Sequence, residues 1–100
     1  MIIPTHITVG NHKYSIHTLQ QMPHKGGMGT VHYHLGTIQL ALHSNITKRP
    51  FSTAQLQETF WHEVTHAILH DMDHHLYANE RFVTDFSSRL SKAITSAEFA

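Results

Sequence analysis

The stretch Ser52-Thr53-Ala54-Gln55-Leu56-Gln57-Glu58-Thr59-Phe60-Trp61-His62-Glu63-Val64-Thr65-His66-Ala67-Ile68-Leu69-His70 decides the architecture. Ser52 followed by Gln55 is a capping-box pattern two residues after Pro50, and it marks a helix start. Leu56, Phe60, Val64, Ala67 and Ile68 then recur at helical spacing, so a helix is expected from about Thr53 to His70. Beyond it, Asp71 to His75 is polar and reads as a connection. A second helix is expected from about Tyr77 to Ala97, with the apolar stripe Phe82, Phe86, Leu90, Ala93 and Ile94. Before the first helix the pattern changes to strands. Ile2 to Val9 holds β-branched residues, and Gly10-Asn11 is a turn signal. Lys13 to Leu19 alternates, with Tyr14, Ile16 and Thr18 on one face. Met22 to Gly29 is rich in breakers, and Thr30–His34 and Thr37–Leu42 form a second strand pair around Leu35-Gly36. The expected fold is α+β: a small, mostly antiparallel or mixed sheet of about four strands followed by two packed helices, in a single domain spanning residues 1–100.

Composition narrows the function classes. The 100 residues are 40% apolar and 14% charged, a globular balance with room for one core. Seven Lys+Arg offset seven Asp+Glu, which argues against a broad basic face for nucleic acid or anionic lipid. No apolar run exceeds three residues, so neither a membrane-spanning helix nor a signal-peptide core is expected, and a cytoplasmic protein is the default. The absence of Cys removes disulfides, thiolate zinc sites and Cys nucleophiles. The unusual feature is twelve His, able to ligate metal, shuttle protons or serve as polar surface.

The chemistry concentrates in His62-Glu63-Val64-Thr65-His66. Residues four apart on a helix share a face, so two imidazoles can reach one ion, and zinc accepts neutral imidazole nitrogen. Glu63 lies on the same helix, where a carboxylate can take a proton from water as general base. In a chain this rich in His, chance alone yields the pattern roughly 5% of the time, and its fall inside an expected helix lowers that further. A zinc site needs a third protein ligand. His70 continues the stripe, but eight residues on a helix span about 12 Å, too far for one ion. Asp71, Asp73, His74 and His75 follow the helix and could fold back. Glu80 sits near the start of the second helix, at the edge of its apolar stripe. Packing that stripe on the first helix would aim Glu80 at the His pair, making it the first choice, with Asp73 or His74 next.

His62–His66 with Glu80 on a following helix resembles the gluzincin branch of the zincin metallopeptidases. The compact order of strands then two helices looks like the minigluzincins and the small phage-type ImmA/IrrE-like metallopeptidases. Phe60 to Leu69 is the strongest part of the likeness and Asn79 to Val83 the weaker second part. The resemblance implies a zinc-dependent endopeptidase, phage-encoded, with Zn2+ on His62, His66 and Glu80 and with Glu63 as base. It also implies a peptide or protein substrate held extended along an edge strand, by layout Thr30–His34, with Thr37–Leu42 its inner neighbour. Larger family members place an Asp one turn after the Glu ligand, where this chain has Thr84 and then Asp85. They also supply a downstream His or Tyr to steady the oxyanion. Here the candidates are Tyr77, His74 or His75 in the connection and His32, Tyr33 or His34 from the sheet.

The remaining His carry weaker expectations. His32 and His34 would share one strand face and are read as polar residues there rather than as a second metal site. His6, His12, His17, His24 and His43 are expected at the surface, and His70 in the C-terminal turn of its helix. A non-catalytic rival remains: a zinc-stabilised binding module that uses its sheet edge, with Glu63 as the discriminating residue.

Overall fold

The structure, a computed structural model, describes residues 3–23 and 27–99. Its elements are β1 (His6–Val9), β2 (His12–Leu19), β3 (Gly29–His32), β4 (Thr37–Ala41), α1 (Thr53–Asp71) and α2 (Glu80–Ser96). The strands form one mixed sheet in the order β1-β2-β4-β3. β1 and β2 make an antiparallel hairpin whose two-residue turn is opened by Gly10 at φ +59°, a left-handed conformation that glycine adopts without steric cost. β2 then pairs parallel with β4, Ser15 opposite Thr37 through Leu19 opposite Ala41. The intervening chain returns as β3, antiparallel to β4, and leaves β3 at the edge. The expected pairing of a second antiparallel couple, with its edge and inner members, is therefore present. Its junction to the first couple is the parallel one.

Period-two alternation sorts the sheet into two faces. Val9, Tyr14, Ile38 and Leu40 point to one side, where Phe60, Val64 and Ala67 of α1 meet them in the core. Burial of side chains of this size stabilises by about 1.5–3 kcal/mol each, so the α1–sheet contact is the main cohesive surface. The register lines His6, Ser15, Thr37 and His32 across the other face, which is polar and open. His6, His12 and His17 are exposed as expected, whereas His43 is half-buried and its Nδ1 has no hydrogen-bond partner among the described residues. His24 lies outside the described residues, as does Ile2 of the first expected strand.

α1 begins as its sequence dictates. The Ser52 hydroxyl accepts from the Gln55 amide at 3.1 Å, and the Gln55 side chain accepts from the Ser52 amide at 2.8 Å. Its end is set by Asp73 at φ +52°. The amides of Asp73 and His74 donate back to the carbonyls of His70 and Leu69, the double bond of a Schellman cap with Asp where glycine is usual. The chain thereby reverses within a few residues. Asn79 then caps α2 by accepting from the Phe82 amide at 2.9 Å.

Three expectations need correction. β3 spans Gly29–His32 rather than Thr30–His34, so His34 falls in the turn and shares no strand face with His32. The second helix starts at Glu80, not Tyr77, because the residues after the Schellman cap are held in turns by Tyr77 N–H to His74 O and Asn79 N–H to Leu76 O. The face of α2 that buries is also not its apolar stripe. Val83, Ser87 and Ser91 are buried, while Phe86 is 49% and Ile94 36% exposed, and Phe82 stacks on Phe86 at 5.9 Å. α2 packs on α1 and, among the described residues, reaches no strand. A helix that meets a single neighbour seats its small residues there, since small side chains allow close approach. The stripe is displaced toward solvent.

Candidate metal centre

His62 and His66 stand one turn apart on α1, with ring centroids 4.9 Å apart. Glu80, the first residue of α2, reaches both. Its Oε2 lies 3.1 Å from His62 Nε2 and its Oε1 2.8 Å from His66 Nε2. Each residue thus offers one ligand atom within 4.8 Å of the others. Glu80 shares a helical face with Val83, Ser87 and Ser91, so the seam of small residues that docks α2 also directs Glu80 to the pair. Glu80 thus lies beside the His pair, though the apolar stripe is not what brings it there. His70 and Asp73 lie outside this group, as do His74 and His75, which stack on each other at 4.6 Å.

Hydrogen-bond chemistry defines what the cluster can hold. His66 Nδ1 sits 2.7 Å from the Tyr77 carbonyl oxygen, an atom that only accepts, so Nδ1 carries the proton and donates it. In the neutral ring Nε2 is then a bare lone pair, and it faces a carboxylate oxygen at 2.8 Å. Two acceptors at that separation need a cation between them, either a proton or a metal ion. Among the described residues no Lys or Arg pairs with Glu63 or Glu80. The donor set of two imidazole nitrogens and a carboxylate suits zinc, and the Tyr77 carbonyl fixes the tautomer that leaves Nε2 free. Sequence reading missed this carbonyl, because a main-chain group carries no residue-type signal. Thr84 lines the cleft and, among the described residues, bonds neither imidazole.

Glu63 lies behind the cluster, 6% exposed, and no described residue hydrogen-bonds its carboxyl. Burial, reinforced by the charge of Glu80, pushes its pKa up to about 8 when no cation is beside it. Burial also lowers His62 from 6.5, with Glu80 pulling the other way and His66 adding to the decrease.

A cleft of about 810 Å³ opens over these groups, lined by Gly29, Thr30 and Val31 of β3, by Thr59, His62, Glu63 and His66 of α1, and by Glu80. Gly29 lets the edge strand come this close: a Cβ there would stand 2.8 Å from Thr59 Cγ2, 3.0 Å from Gln39 O and 3.4 Å from Glu63 Cγ. No helix is long and apolar enough to cross a membrane, among the described residues. No family model, curated protein or solved structure matches the chain.

Proposed function

We propose that the chain is a zinc-dependent endopeptidase of gluzincin type, with His62, His66 and Glu80 holding the metal and Glu63 as general base. The observation that carries the reading is the convergence of two imidazole nitrogens and a carboxylate at the mouth of a cleft, with an unpartnered carboxyl behind them. Zinc held there would polarise a substrate carbonyl and lower the pKa of water. Glu63, once ionised by a neighbouring cation, takes a proton from the attacking water onto a carboxylate oxygen. It then passes that proton to the amine nitrogen that leaves as the peptide bond breaks. Tyr77, through its carbonyl, holds the His66 ring in orientation. β3 is paired on one side only and borders the cleft, which supports an extended peptide adding along its free edge. Three protein ligands suit a catalytic rather than a structural site, since a structural zinc is closed by four. A cytoplasmic setting is part of the same proposal.

The test is cleavage of a denatured protein by the zinc-loaded chain and by Glu63→Gln. The variant should keep zinc and fold and lose cleavage. Retained cleavage would reject Glu63 as base. Loss of the metal would instead make Glu63 a ligand.

A further inference from the structure

The cleft contains a polar group that the chemistry above does not use. Tyr33 follows β3 directly and lines the same cleft as His62, Glu63, His66 and Glu80. Its ring lies flat on His70, with centroids 3.8 Å apart and planes within 5°. It meets the Tyr77 ring edgewise at 6.3 Å, and His70 meets Tyr77 edgewise at 5.5 Å. Three rings, from the β3–β4 turn, the last turn of α1 and the α1–α2 connection, therefore brace one another. The brace is continuous with the ligand set, because the Tyr77 carbonyl accepts from His66. The Tyr33 hydroxyl has no hydrogen-bond partner among the described residues. Burial, with Glu63 the next cause, pushes its pKa up to about 12, so it remains a donor. Aromatic stacking fixes a ring more firmly than a free rotamer does, and a fixed donor loses little entropy on use.

We propose that Tyr33 is a catalytic residue whose hydroxyl donates a hydrogen bond to the oxygen of the carbonyl under attack, and that His70 is the positioning residue that holds the Tyr33 ring. The assignment rests on the peptidase reading. It takes the one cleft-lining phenol that is braced face-on. His74 is engaged by the Leu76 amide, and His34 projects from the turn into solvent. Tyr77 serves His66 through its main chain. This function is carried by a residue upstream of the helices, unlike the downstream His or Tyr of the larger gluzincins.

The test uses the zinc-loaded full chain and, as probe, a phosphinic dipeptide whose tetrahedral PO2 group stands for the attacked carbonyl. Binding is followed by calorimetry, and zinc affinity is measured alongside. Tyr33→Phe keeps the ring and should weaken the probe by about tenfold or more, as loss of one oxyanion donor does. Its zinc affinity should stay within about twofold, and on a peptide its kcat should fall with KM little changed. Tyr77→Phe, which keeps the bracing ring and the main-chain carbonyl, should lose much less of the probe's affinity than Tyr33→Phe. His70→Ala should weaken the probe in part, and His70→Phe, which restores a stacking ring, should recover it. Equal affinity in Tyr33→Phe and wild type overturns the assignment, as does an equal loss in Tyr77→Phe or a zinc-loaded wild type that ignores the probe. Failure of the peptidase reading shows differently, as wild-type protein that takes up no zinc, and it removes this assignment too.

Discussion

Replacing Glu63 by Gln should stabilise the metal-free protein at high pH, and the size of the effect follows from the site. The carboxyl is 6% exposed and faces Glu80, so its pKa rises from 4.5 to about 8. Between those values the folded chain keeps a proton that the unfolded chain has lost. The contribution of Glu63 to stability is thus fully present below pH 4.5, falls as pH rises, and is gone above about pH 8. At 1.36 kcal/mol per pH unit the gap has a ceiling of about 5 kcal/mol, and relaxation around the ionised group brings the expected value to roughly 2–4 kcal/mol. Gln cannot ionise, so it carries no such dependence. Urea unfolding of both proteins after chelation, at pH 4 and pH 9, isolates this term, because the two chains differ only at residue 63. The stability of Glu63→Gln relative to wild type should rise by that amount between the two pH values. A difference that is flat with pH, or that rises toward acid, would refute the account of Glu63 as a buried carboxyl facing Glu80.

Zinc binding near pH 7 should expel the Glu63 proton, so calorimetry in buffers of different ionisation enthalpy should count about one more proton released by wild type than by Glu63→Gln. Gly29→Ala places a Cβ 2.8 Å from Thr59 Cγ2 and should cost about 1–3 kcal/mol. Adding Thr59→Ser, which removes that methyl, should recover part of the melting temperature lost. Ser52→Ala removes one arm of the capping box at the head of α1 and should cost about 1 kcal/mol in denaturant unfolding. On α2 the two faces should respond oppositely to intuition: Phe86→Ser should cost less than about 1 kcal/mol, whereas Ser87→Leu should cost about 1–3 kcal/mol because it forces α2 off α1.

Local signals made α1 legible from its sequence: the capping box and the recurrence of Phe60, Val64 and Ala67 act within a turn or two of one another, and nothing distant opposes them. The strands were legible for the same reason, with ends off by a few residues. Strand order was not, since the parallel junction of β2 and β4 joins residues about twenty apart and leaves no periodic trace. α2 shows where hydrophobic periodicity misleads. Its apolar direction and its buried direction differ, because contact with a single helix is decided by the size of Ser87 and Ser91 rather than by the hydropathy of Phe82 and Phe86. In the site, spacing alone placed His62 and His66 together. The position of Glu80 depended on the reversal at Asp73, a left-handed residue that is not glycine and so gave no warning. The stack of Tyr33 on His70 joins residues far apart in the chain, and only the folded sheet edge brings them into contact.

Zinc titration of the metal-free wild type beside Glu80→Ala and His70→Ala tests the central claim most directly. The account predicts one zinc per wild-type chain, an affinity lower by orders of magnitude in Glu80→Ala, and stoichiometry still near one in His70→Ala. Undiminished affinity in Glu80→Ala would contradict it.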